Sequence, residues 1–111
     1  LLIIEATGVA VPSTMAENLR KATGASPRIC VIVDASRWRR MRVPLEVLLR
    51  QQLRACDVVC LNKADLVDAD ELAFVDRSLD DYEHGATRIV TSASGGLSEE
   101  AASLIMGDDA A

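Results

Sequence analysis

The stretch Asp57-Val58-Val59-Cys60-Leu61-Asn62-Lys63-Ala64-Asp65 runs from an apolar segment straight into an N-K-x-D tetrapeptide. The apolar part reads as a buried strand, and the tetrapeptide sits at its carboxyl end. Open parallel sheets bind their ligands at that end. The residue types suit a guanine base. The Asp65 carboxylate can accept two hydrogen bonds, from the ring N–H and the exocyclic amine, which adenine does not offer in that arrangement. Asn62 supplies an amide that can tie the loop together and meet the base, and the stem of Lys63 can lie flat over ring or ribose. The plainer alternative is a polar turn that enters a helix.

A second segment points the same way. Leu1-Leu2-Ile3-Ile4-Glu5-Ala6-Thr7-Gly8 reads as an apolar strand ending in a carboxylate, with a glycine three residues on. In nucleotide hydrolases with a phosphate-binding loop, a carboxylate at that place meets Mg²⁺, usually through a water. A glycine there lets a backbone N–H approach the terminal phosphate without a Cβ in the way. For Glu5 alone, a strand that simply ends in a polar loop explains the residues equally well.

With both segments in view, the chain resembles the CobW-like GTPases, proteins linked to cobalamin synthesis and metal delivery and related to the hydrogenase and urease maturation GTPases. Ile4-Glu5-Ala6-Thr7-Gly8-Val9-Ala10-Val11-Pro12 is similar to that family's IETTGLADP segment, and Val31-Ile32-Val33-Asp34-Ala35 to its VVDA strand. The segment from Gln52 to Leu66 resembles its Q…ADVIVLNKTDL. Val11 stands where the family commonly has an acidic residue. No G-x-x-x-x-G-K-[ST] sequence and no C-x-C-C motif occurs in the chain, and residue 1 is not methionine. The expectation is a fragment, residues 1–111 forming the C-terminal part of a GTPase domain from the Glu5 strand onward, with the phosphate loop upstream.

Composition bounds the rest. The 111 residues, half of them hydrophobic, suffice for one small core. A net charge of −5 argues against bulk nucleic-acid binding, and no apolar run is long enough for a membrane span. Cys30, Cys56 and Cys60 are an odd set without a C-x-x-C pair, which suits buried, reduced thiols of a cytoplasmic protein; metal ligation by Cys56 and Cys60 is the sharper alternative.

Strand and helix patterns alternate, which predicts an α/β fold: a parallel sheet with flanking helices, a partial Rossmann-like nucleotide-hydrolase domain. The expected strands are 1–5, 28–34, 57–61 and 87–91. The helices expected between and after them begin at a Thr14-x-x-Glu17 capping box and end at Gly24, follow Pro44 with Leu45, Leu48, Leu49 and Leu53 on one face, cover 70–81, and run over 98–106 capped by Ser98. Thr91-Ser92-Ala93 resembles the loop that GTPases place against the guanine carbonyl through a backbone N–H, so Ser92 and Ala93 join Gly8, Asn62, Lys63 and Asp65 as nucleotide-binding candidates, with Glu5 the metal-side carboxylate. Arg37, Arg39, Arg40 and Arg42 around Trp38 read as a solvated loop with the indole on the sheet edge, and His84 as a solvent-facing loop residue.

The resemblance implies GTP hydrolysis with Mg²⁺, coupled to handling of zinc or cobalt and to a metal-receiving protein. It also places a missing strand between the first and second expected strands; the gap either closes by direct pairing of those two strands or, as is favoured here, is bridged by a partner chain in a homodimer. Competing readings are an α/β interaction module without nucleotide chemistry and a deviant ATPase.

Overall fold

The computed structural model describes residues 3–6, 8 and 10–107. Three strands are present among them: β1 (Cys30–Asp34), β2 (Val58–Asn62) and β3 (Thr87–Val90), paired in that order and all parallel. Five helices accompany them: α1 (Pro12–Thr23), α2 (Trp38–Met41), α3 (Glu46–Leu53), α4 (Ala69–Leu79) and α5 (Glu99–Met106). The register pairs Cys30 with Val58 and Asp34 with Asn62, then Val58 with Thr87 and Leu61 with Val90.

The central position of β2 follows from its composition. Val58, Val59, Cys60 and Leu61 are all buried, so both faces of this strand are covered, as a continuous apolar run in a parallel sheet requires. Side chains alternate across the sheet. Val33, Val59 and Leu61 point to one face, where they pack with Trp38, Leu49, Leu53, Val75, Leu79 and Tyr82 in the main core. Trp38 is 1% exposed and meets Tyr82 edge to face at 5.1 Å between ring centroids. The Arg-rich segment around it is therefore a short helix with its indole inside the core, rather than a loop leaning on the sheet edge. On the opposite face, α5 covers only part of the sheet, and Ile32 stays 69% exposed.

Several expected boundaries move, each for a local reason. The Thr14-x-x-Glu17 capping box does not form. Helix α1 starts two residues earlier, with Pro12 in its first turn, where its fixed φ suits the helix and its missing N–H costs nothing, and with no side-chain cap at Val11, which has no acceptor to offer. Gly24 ends α1 in the left-handed region at φ 76°, as expected. Asp68 caps α4 and Ser98 caps α5, each accepting from a backbone N–H three residues on. Leu49 and Leu53 of α3 are buried, whereas Leu45 remains 40% exposed just before the helix.

The expected strand over 1–5 is a correction. Residues 3–6 carry no strand, and Ile3 and Ile4 are exposed; Leu1 and Leu2 lie outside the described residues. A strand is stable only when its backbone groups find a ladder partner, and among the described residues β1 pairs with β2 alone. Direct re-pairing of this segment with β1 is thus not what the chain does. Gly8 and Ala10 are held instead from α3: the side-chain amide of Gln52 donates to both of their carbonyls. The stretch 107–111 reads from its sequence as a frayed tail, and all of it but Gly107 lies outside the described residues.

One polar cluster braces the packing of α4 against β3. Arg88 donates to Asp76, Asp80 and Glu83, and Glu83, 5% exposed, also accepts from the Ala86 N–H. Arg88→Ala should lower the unfolding free energy by about 3 kcal/mol, because it strands a buried carboxylate. Glu83→Gln should cost less; urea unfolding of both variants checks the order.

The cysteines do not form the uniform buried set that was expected. Cys30 is exposed, Cys56 half-buried and Cys60 buried. The Cys56 thiol donates to the Leu53 carbonyl, and burial first, then the nearby Glu83 carboxylate, push its pKa up to about 11. At pH 8 only about one part in a thousand is then thiolate, so alkylation of Cys56 should run about a hundredfold slower than for an ordinary thiol. Site-resolved mass spectrometry should show this slowing in the native protein and its loss in urea.

Candidate functional site

The carboxyl ends of all three strands come together, and backbone hydrogen bonds continue past the strands themselves. The Ala35 N–H donates to the Asn62 carbonyl at 3.0 Å, the Thr91 N–H to Leu61 at 2.9 Å, and the Ala64 N–H to Thr91 at 3.0 Å. The loops after β1, β2 and β3 therefore leave one edge in fixed relation. A depression of about 260 Å³ runs along the thinly covered face of the sheet, from Cys30 and Ile105 to Asn62, Thr91, Ser92 and Ala93 at this edge.

Asn62 and Asp65 are each held by the β3 loop. The Thr91 hydroxyl donates to Asn62 Oδ1 at 2.8 Å. Since that proton is committed, the 3.2 Å contact between Cys60 Sγ and Thr91 Oγ1 is a thiol donating to the hydroxyl. The chain Cys60–Thr91–Asn62 fixes the amide through its oxygen. Asp65 Oδ1 accepts from the Ala93 N–H at 2.7 Å. The two halves expected from the sequence, N-K-x-D and Ser92-Ala93, are thus brought into direct contact. Ser92 turns its hydroxyl back to the Gly95 N–H.

Lys63 stands apart in its backbone. At φ 60° it is the one non-glycine residue with positive φ among the described residues. Left-handed backbone costs a lysine of order 1 kcal/mol, and such strain gathers at functional loops. A 3-10 turn over Ala64–Leu66 follows it directly. Its ammonium lies 3.1 Å from Asp34 Oδ2, at the end of the neighbouring strand. Asp34 Oδ1 accepts from both the N–H and the hydroxyl of Ser36. Partial burial raises the Asp34 pKa, but the Ser36 hydrogen bonds and the Lys63 ammonium outweigh it and hold the carboxyl below its ordinary value. Asp34 and Thr91 are the site residues that motif reading passed over. The D-x-S pattern of Asp34-Ala35-Ser36 was the available signal for the first, since short polar side chains at a strand end close such turns.

Glu5 and Gly8 are not gathered into this cluster. Glu5 is exposed on the irregular segment, and a Cβ at Gly8 would meet nothing within 4 Å. Among the described residues no group of three or more His, Cys, Asp or Glu side chains could hold a metal ion. A closed protein-only centre for zinc or cobalt is therefore not formed by these residues, Glu5 included. Cys56 and Cys60 bond to different partners, Leu53 and Thr91, which does not favour joint ligation. The arginines act largely as braces: Arg39 forks onto Glu71 and lies 3.8 Å over the Phe74 ring, with Arg42 at 5.1 Å from the same ring.

Residues 1–90 match the family model described as CobW/HypB/UreG, nucleotide-binding domain. That match covers most of the chain, and the protein belongs to this family of nucleotide-binding α/β domains. No curated protein and no solved structure matches it. No helix among the described residues is long and apolar enough to cross a membrane.

The Asp65–Ala93 bond should govern the order of the β3 loop. Asp65→Ala should speed hydrogen exchange at the Ala93 amide by about an order of magnitude, the loss of one charge-assisted bond at an exposed site, while leaving amides in β2 unchanged.

Proposed function

We propose that the edge formed by Asn62, Lys63, Asp65, Ser92 and Ala93 is the guanine-recognition half of a GTP-binding site. The observation that carries this reading is the 2.7 Å pairing of the Asp65 carboxylate with the Ala93 N–H beside Asn62. An acceptor and a donor are set side by side at the end of a parallel sheet. Guanine presents the complementary pair: N–H groups at positions 1 and 2 for the carboxylate, and a carbonyl oxygen at position 6 for the amide. Adenine presents a donor at position 6 and an acceptor at position 1, which faces donor with donor and acceptor with acceptor. Binding would exchange one internal hydrogen bond for several to the base. The family match supports a nucleotide as the ligand class.

On the same reading, the parent activity is GTP hydrolysis with magnesium, coupled to delivery of zinc or cobalt to a recipient protein in the cytoplasm. Glu5 would be the magnesium-side carboxylate and Gly8 would lie near the terminal phosphate. Magnesium takes few protein ligands and draws the rest from water and nucleotide phosphates, so one carboxylate fits that role only with nucleotide bound. Affinity for the triphosphate would be weak in this chain, which has no phosphate-loop sequence. A homodimer across the open edge of β1 remains part of the proposal, because an unpaired edge strand invites another chain.

Titration with guanosine, GDP, adenosine and ADP, followed by amide NMR shifts at residues 62–65 and 92–93, tests the base site directly. Guanine compounds should shift these amides and adenine compounds should not. Shifts with the adenine compounds instead would favour an ATPase, and none with either an interaction module. Asp65→Asn should weaken guanosine binding by about one to two decades, since the amide presents a donor where the base also donates. Unchanged affinity in this variant would reduce Asp65 to a turn residue.

A further inference from the structure

We propose that Asp34, at the end of β1, is a positioning residue for the base site: it holds the Lys63 side chain across the carboxyl edge of the sheet. The inference rests on the base-site reading above and adds a residue that the N-K-x-D motif does not contain.

The geometry is specific. Lys63 springs from the loop after β2, and its ammonium ends 3.1 Å from Asp34 Oδ2 beyond β1. Neighbouring strands lie about 4.8 Å apart, so the methylene stem has to span that spacing along the sheet edge. A lysine free in solution samples many rotamers and loses up to about 2 kcal/mol of entropy when a ligand fixes it. The tether fixes it beforehand, so an apolar stem is in place for the flat face of a base or sugar. Asp34 is itself fixed: Ser36 donates twice to its other oxygen, at 3.0 Å from the N–H and 2.6 Å from the hydroxyl. The Ala35 N–H bond to the Asn62 carbonyl locks the two strand ends in register beneath the ion pair. Arg37 Nε stands 3.8 Å from the same carboxylate oxygen, close enough to add charge but not a hydrogen bond. The lowered pKa of Asp34 keeps the tether charged at neutral pH.

A double-mutant cycle on guanosine affinity tests the assignment, with the amide-shift titration as readout and thermal unfolding as control. Asp34→Asn keeps the acceptor for Ser36 and removes the charge. It should weaken guanosine binding by about two- to fivefold, the range of a partly exposed ion pair, with the guanine-over-adenine preference intact. Lys63→Met should cost at least as much, and the double variant no more than Lys63→Met alone. Ser36→Ala removes one of the two bonds that fix Asp34 but keeps the charge, and should cost less than Asp34→Asn. Parent-like affinity in Asp34→Asn overturns the assignment, as do losses that add in the double variant or a loss in Ser36→Ala equal to that in Asp34→Asn. A parent protein that gives no guanosine shifts overturns the base-site reading itself, an outcome distinct from parent binding that Asp34→Asn leaves unchanged.

Discussion

The backbone bonds that run past the end of β2 are the constraint on which the site depends. Ladder pairing alone would align the strands and leave the loops to wander. The bonds from Ala35 to Asn62, from Thr91 to Leu61 and from Ala64 to Thr91 carry the register into the loops. With β2 in the middle, each of its neighbours is fixed to it, and residues 27 to 30 apart in sequence meet at one edge. Thr91 touches Asn62, Ala93 touches Asp65 and Lys63 touches Asp34 because of that continuity. Loops held this way need little reordering when a ligand arrives, which is where much of the cost of binding otherwise lies.

The rest of the fold supports that edge from one side. The main core covers the face bearing Val33, Val59 and Leu61, and α4 is pinned to β3 by Arg88. Arg50 ties α3 to the segment after α4, donating to Glu46 and to the Asp81 carbonyl while lying 4.7 Å over the Tyr82 ring. Tyr82 in turn donates its hydroxyl to Glu46. The hydrogen bond from Tyr82, then that from Arg50, hold the Glu46 carboxyl below its ordinary pKa. The other face is thinner. Arg28 caps the carboxyl end of α5 by donating to the carbonyls of Leu104 and Ile105, a cation at the negative end of the helix dipole, yet Ile32 remains largely uncovered.

How much of this was legible in the sequence depends on the range of the interaction. Local patterns read well: the β2 run, the Gly24 stop, the Ser98 cap, and the inward Val75 and Leu79 of α4 all stand where short-range rules put them. The parallel sheet followed from the alternation of patterns. The Thr14-x-x-Glu17 capping box misled because Pro12, two residues earlier, suits the first turn of a helix and starts it without any side-chain cap. The segment at 1–5 misled for a different reason. Apolar, β-branched residues show that a segment can be a strand; whether it is one depends on a partner for its backbone groups, which no local pattern encodes. Within the site, the motif gave Asn62, Lys63 and Asp65 but not Asp34 or Thr91, since their roles arise only once the register sets Asp34 beside Asn62 and the β3 loop beside the β2 loop.

The arrangement at rest explains why the polar groups of this edge can wait without a ligand. Asp65 and Ala93 lie exposed, where water also serves them, whereas Asn62 is partly buried, where an amide left unpaired would lose solvation without compensation. Here they satisfy one another: Asp65 takes the Ala93 N–H, Asn62 takes the Thr91 hydroxyl, and Asp34 takes Lys63 and Ser36. The self-pairing lowers the energy of the empty state and so must be subtracted from whatever a ligand offers. It also selects the ligand. A molecule gains only if it replaces the Asp65–Ala93 bond with at least as many of its own, which demands donors for the carboxylate and an acceptor for the amide on one planar edge. A ligand that satisfies only one of the two leaves the other stripped of its partner, and that penalty, more than any attraction, is what would exclude the wrong base.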